Sequence, residues 1–114
     1  PLTVFGNGEQ TRDFIYAGDI AQAAAKAVAL TGYNVINIST GKETSLNRLL
    51  DAFKSACGHE LTVNYAPARS GDIFRSVLSN KKLEALLGFV PQMDIEHGIP
   101  KTYNDYLARR KEGL

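Results

Sequence analysis

The sequence predicts an α/β fold of about four helices joined to short strands, and three observations carry that prediction. Short apolar runs alternate with stretches of helical periodicity along the whole chain. Serine, threonine, asparagine or aspartate stands before each helical stretch. Glycine or proline then follows most of them, so the stretches end where a helix can end.

Leu2 to Phe5 is the first strand candidate and stops at Gly6. A polar glycine loop separates it from a second candidate, Phe14 to Tyr16. Asp19 is placed as an N-cap, and Ile20 to Leu30, almost entirely alanine and aliphatic, is a helix that ends before Gly32. Val35-Ile36-Asn37-Ile38 reads as a mostly buried strand, and Ser39 to Lys42 turns the chain. Thr44 or Ser45 caps the next helix, 46–57. There Leu46, Leu49, Leu50, Phe53 and Cys57 fall on one stripe, and Gly58 stops it. Leu61 to Tyr65 alternates as a strand, and Pro67 to Val77 is irregular. Ser79 or Asn80 opens a short helix, 80–87, closed by Gly88. Pro91 breaks the chain before a last helix, 95–110, that begins near Asp94, and the tail Ala108 to Gly113 is expected in solvent. No repeat or linker divides the chain, so residues 1–114 are read as one domain.

Composition narrows the function. The 13 basic and 12 acidic side chains leave a net charge of +1, too weak a field to argue for nucleic acid or an anionic membrane. No apolar run approaches the ~20 residues of a membrane span, and no signal peptide is visible, so a cytoplasmic setting is expected. The single cysteine, Cys57, excludes an internal disulfide and a cysteine-rich metal site. His59 and His97 have no companions at metal-ligand spacing and are read as surface residues. The chain begins at Pro1 with no initiator methionine, which is read as a partial chain.

Two segments carry chemistry. The run Gly6-Asn7-Gly8-Glu9-Gln10-Thr11-Arg12-Asp13-Phe14 and, sixty residues on, Arg69-Ser70-Gly71-Asp72 place two arginines and a carboxylate on loops beside glycines. A guanidinium is a rigid fork of donors matched to phosphate oxygens, and a carboxylate accepts from the vicinal hydroxyls of a ribose. Arg12, Arg69 and Asp72 are therefore the candidate ligand-binding set. Plainer readings stand beside this one. Arg12 could pair locally with Asp13, and Arg69 with Asp72 across the glycine turn. Arg75 is either a third phosphate contact or a solvated loop arginine. Ser39-Thr40-Gly41 is either a ligand-binding strand end or a simple turn, and Asp13 is read as structural.

Three blocks in order, GNGEQTRDFIYAGDIAQA, NVINISTGKETSLNRLL and RSGDIFRSVLSNKKLEALLGFVPQMDIEHGI, resemble the carboxy-terminal part of the NAD-dependent nucleotide-sugar epimerases and dehydratases. These are extended short-chain dehydrogenases/reductases, and the likeness is to UDP-glucose 4-epimerase-like members. The resemblance covers almost the whole chain and implies a small substrate-binding domain without its Rossmann half. It implies that Arg12 and Arg69 reach the diphosphate of a nucleotide-sugar and that Asp72 holds the ribose.

The same resemblance exposes what the chain lacks. The Gly6–Gly8 pair has no third glycine and is not followed directly by a helix, so it does not read as a dinucleotide cradle. None of Tyr16, Tyr33, Tyr65, Tyr103 or Tyr106 has lysine four residues on, so the family's Tyr-x-x-x-Lys acid/base pair is missing. The expectation is a nucleotide-sugar-binding portion with no catalytic residue and no cofactor site of its own, NAD belonging to the parent enzyme. Its partner would be the missing Rossmann domain. The alternatives are a freestanding non-catalytic nucleotide- or protein-binding remnant, and a packing domain whose apolar surfaces are covered by self-association.

Overall fold

The computed structural model describes residues 1–111, in the order β1 Leu2–Phe5, β2 Thr11–Arg12, α1 Ala17–Ala27, β3 Thr44–Ser45, α2 Leu46–Cys57, β4 Val63–Ala66, α3 Lys81–Leu87 and α4 Ile95–Lys111. The predicted α/β class of four helices with short strands is what forms. Two small sheets organise it. β1 lies parallel to β4 with Leu2 opposite Val63 and Phe5 opposite Ala66, and β2 lies antiparallel to β3 with Thr11 opposite Ser45.

The helices follow their sequence signals closely. Ser45 caps α2, its side chain accepting from the Arg48 N–H, and Gly58 ends the helix in the left-handed conformation. Asp94 closes the first turn of α4 by accepting the His97 N–H at 2.9 Å. Asn80 stands at the N-cap of α3 without a side-chain capping bond, because its amide donates instead to the Ser39 carbonyl at 3.2 Å. The tail residues Ala108 to Lys111 are exposed on the last turn of α4, and the rest of the predicted tail lies outside the described residues.

Helix α1 departs from expectation. It starts at Ala17, with Tyr16 at the N-cap, and Asp19 sits inside its first turn. Asp19 is 2% exposed, and its carboxylate accepts the backbone N–H groups of Gln92 (3.1 Å) and Met93 (2.9 Å), tying α1 to the segment between α3 and α4. The carboxylate is the buried group, and accepting two backbone N–H bonds there offsets its desolvation, which a cap at the helix start would not do.

Two predicted strands do not form among the described residues. The Phe14 to Tyr16 segment stays unpaired because the Tyr16 carbonyl already accepts from Asp19 and Ile20 as α1 begins; strand pairing moves back to Thr11–Arg12. Val35 to Ile38, expected as a mostly buried strand, has no partner strand among the described residues, and Val35 and Asn37 are exposed. Ile36 and Ile38 pack on Ala23, Leu83 and Phe89, while the Val35 carbonyl accepts from Lys82 and the Asn37 amide donates to the Ser79 carbonyl. The last strand is Val63–Ala66 rather than 61–65, a shift set by its register with β1.

The Ala23–Leu83–Phe89 cluster, with Val4 buried apart, is small for the length. The α2 stripe of Leu46, Leu49, Leu50, Phe53 and Cys57 is only half-buried, against α4. The molecule is a slab of 48 × 40 × 22 Å with a radius of gyration of 16.7 Å. A compact chain of this length would have a radius near ~13 Å. Its accessible surface, 7994 Å², exceeds the roughly 6,100 Å² expected of a compact monomer of this mass. Val28, Tyr33, Val35, Ile73 and Phe74 stand largely exposed on it. No helix among the described residues is long and apolar enough to cross a membrane.

Candidate functional site

The loop after β1 is built against α2. Its Gly8 carbonyl accepts the Asn47 N–H at 3.0 Å, and the Gln10 carbonyl accepts the Leu46 N–H at 3.2 Å. The Asn47 side chain then donates to the Asn7 carbonyl at 3.0 Å and accepts from the Tyr65 hydroxyl at 3.0 Å. The N–H groups at the start of α2 that could hold a pyrophosphate are thus turned to the loop's own carbonyls. With those donors engaged, this loop does not fit a dinucleotide.

Turning out of that loop, β2 carries Arg12 to Asp72. Arg12 Nη2 donates to Asp72 Oδ1 at 3.0 Å, and Nη1 to the Thr11 carbonyl at 2.8 Å. Both side chains are about a third exposed, at 32% and 41%. They are therefore open to exchange partners with a solute. Arg69 lies with its guanidinium over the Phe5 ring, 3.8 Å from the centroid. Beside it is a cleft of about 270 Å³ bounded by Phe5, Gln10, Arg69, Asp72 and Phe74. The structure thus brings all three predicted ligand residues to one place from segments sixty residues apart. The pairings differ from the plainer sequence readings: Asp72 takes Arg12 rather than Arg69, and Asp13 does not pair with Arg12.

Asp13 faces the other way. Its Oδ1 accepts the Thr40 N–H (2.9 Å) and hydroxyl (2.5 Å), and its Oδ2 accepts the Gly41 N–H (2.9 Å). Ser39-Thr40-Gly41 is a turn held by this carboxylate, and Asp13 is structural as read. A second cleft, of about 340 Å³, opens between this turn and residues 90–96. It contains none of the predicted site residues, and its Arg48 is paired with Glu96 at 2.6 Å. His97 Nδ1 lies 2.6 Å from Asp94 Oδ1, a surface histidine as expected, and no metal-holding group of three or more His, Cys, Asp or Glu occurs among the described residues.

Glu43 is the residue that sequence reading missed. It accepts Arg75 Nε at 2.9 Å on Oε1 and Arg75 Nη2 at 2.5 Å on Oε2, and the Thr11 hydroxyl donates to Oε1 at 2.7 Å. Arg75 is therefore neither a free phosphate contact nor merely solvated. The only signal in the sequence is a charge beside a turn, and its partners lie 32 residues away on either side. The Arg75 bonds first, then Thr11, hold the Glu43 carboxyl down from 4.5 to about 2. A carboxylate whose pKa falls on folding contributes stability that is present above the unfolded value and lost as pH falls through the folded one. The stability difference between the protein and its Glu43→Gln variant should accordingly stay constant above pH 4.5 and shrink progressively toward about pH 2. Urea titrations of both proteins across that range measure it.

Known proteins resemble this chain in sequence and fold. The family model for GDP-mannose 4,6 dehydratase matches residues 1–102. A UDP-glucose 4-epimerase of Mycolicibacterium smegmatis is 36% identical over 100 residues, covering 87% of this chain and 32% of that protein. Among solved structures, the UDP-N-acetylglucosamine 4-epimerase of Methanobrevibacter ruminantium M1, in complex with UDP-N-acetylmuramic acid, superposes with a TM-score of 0.86 at 30% identity. It covers 95% of this chain and 35% of that one. The UDP-glucose 4-epimerase of Thermus thermophilus, in complex with NAD, superposes with a TM-score of 0.82 at 35% identity, covering 91% of this chain and 34% of that one. The chain spans about a third of the length of the proteins it matches.

Proposed function

The chain belongs to the GDP-mannose 4,6 dehydratase family of NAD-dependent epimerases and dehydratases, and we propose that it is the part that grips the nucleotide end of a nucleotide-diphosphate sugar. The observation that carries this reading is that Arg69 and Asp72 line one cleft while Arg12 pairs with Asp72. Without ligand, Arg12 and Asp72 neutralise each other. With ligand, the diphosphate takes the Arg12 guanidinium and the ribose hydroxyls take the Asp72 carboxylate, so one exposed ion pair is exchanged for two charge-assisted contacts. Arg69, its guanidinium carbon 3.8 Å from the Phe5 ring centroid, is the second cation offered to the same diphosphate. Relatives that act on UDP-sugars support uridine as the base.

Chemistry at the sugar is assigned elsewhere. Hydride transfer needs a nicotinamide, which NAD supplies when bound to the parent enzyme's Rossmann half, and proton transfer needs a base beside the sugar. The chain alone is proposed to bind and orient without turning over. Calorimetric titration with UDP, UDP-glucose and NAD tests the reading. Binding of the uridine ligands but not NAD, weakened by salt as guanidinium–phosphate contacts are, is the expected result. Turnover of a UDP-sugar by the isolated chain, in proportion to protein, would overturn the non-catalytic assignment.

A further inference from the structure

We infer that Glu43 is a positioning residue for the ligand arginines, stapling the strand that carries Arg12 to the loop that carries Asp72. The inference rests on the nucleotide-sugar reading above and deepens it. Glu43 grips both sides of the site at once: the Thr11 hydroxyl, next to Arg12, and the Arg75 guanidinium, three residues past Asp72. Under it the two segments are joined by backbone bonds, Thr11 N–H to the Phe74 carbonyl at 2.8 Å and Ser76 N–H to the Thr11 carbonyl at 3.2 Å. Above it the link is the Arg12–Asp72 pair at 3.0 Å.

That upper link is the one a ligand consumes. Once diphosphate and ribose have taken Arg12 and Asp72, the two side chains no longer hold the segments together. The spacing between phosphate and ribose contacts then depends on a connection the ligand leaves intact. The Glu43–Arg75–Thr11 network is such a connection, bidentate and so fixed in angle as well as distance. Contacts built on groups held to within a fraction of an ångström keep their strength, whereas loosely held ones lose it.

The test is calorimetric titration of the protein with UDP over a range of salt, using Glu43→Gln, Arg75→Gln, their double variant and Arg75→Lys. Each glutamine variant should weaken UDP binding about tenfold, a typical coupling within one network. The double variant should be no weaker than either single. Arg75→Lys, which keeps the charge and loses the fork, should fall between the unsubstituted protein and Arg75→Gln. The salt dependence should become shallower in the glutamine variants, because fewer phosphate contacts are made; a partly unfolded population would lower the apparent affinity in proportion to the folded fraction, read independently by circular dichroism, and leave that slope unchanged. If the unsubstituted protein binds no UDP, the reading beneath fails and this inference falls with it. If it binds and the variants match its affinity and slope, or their losses simply add, the positioning role alone is overturned.

Discussion

Replacing Arg12 and Arg69 together by alanine is expected to abolish measurable binding of UDP and UDP-sugars while leaving the fold in place. Charge-assisted hydrogen bonds are worth about 1.5–3 kcal/mol each. Two guanidiniums withdrawn from one diphosphate therefore remove about 3–6 kcal/mol, a loss of roughly 10²- to 10⁴-fold in affinity. Their structural roles are much smaller. The Arg12–Asp72 pair is exposed on both sides, and such pairs contribute up to ~1 kcal/mol. Stacking of Arg69 on Phe5 adds about as much. Calorimetry beside thermal denaturation separates the two effects. Unchanged affinity in the double variant would remove both arginines from the site, and with them the reason for reading this cleft as a nucleotide site.

The largest effect on stability is expected from Gly8→Ala. Gly8 is buried with φ at +79°, and a Cβ added there would fall 2.6 Å from Asn47 Cγ and closer still to its amide oxygen. A left-handed non-glycine residue costs about 1–2 kcal/mol. Displacing Asn47 breaks its bonds to the Asn7 carbonyl and the Tyr65 hydroxyl, at about 1 kcal/mol each. The sum, about 3–4 kcal/mol, is a large share of the 5–15 kcal/mol typical of a whole domain. Gly32→Ala is the control, since Gly32 has φ at +74° but nothing within 4 Å of the added carbon. It should cost only the backbone strain. Urea denaturation of the two variants reads the difference directly, and equal losses would show that the loop yields to the extra carbon.

These two results bear on what could be read without the structure. Helices were legible because their signals are local: Ser45 and Gly58 bracket α2 within a dozen residues, and the apolar stripe between them needs no distant information. The Phe14 to Tyr16 and Val35 to Ile38 strands misled because a strand exists only through a partner, and residue type does not say whether one lies alongside. Ile36 and Ile38 still pack inward, while Val35 and Asn37 beside them stay exposed. Arg12, Arg69 and Asp72 were singled out as candidates by residue type and family likeness, and the structure places Arg12 on Asp72. Which of them pair was not legible, since loops sixty residues apart meet through the β1–β4 pairing and the Thr11 backbone bonds to Phe74 and Ser76, none of which residue type announces. Glu43 was hidden for the same reason, as was the diversion of Asp19 from capping α1 to holding Gln92 and Met93.

The open slab has a thermodynamic consequence. An extended chain of this mass would expose roughly 18,000 Å², so folding to 7994 Å² removes about a sixth less surface from solvent than closing into a compact globule would. Denaturant slope and heat-capacity change both scale with that difference. Unfolding of the chain is accordingly expected to show a denaturant slope and a heat-capacity step about a sixth below those of a compact domain of the same length. Burial of Val28, Tyr33 and Val35, which stand open here, would raise both quantities in proportion to the apolar area covered.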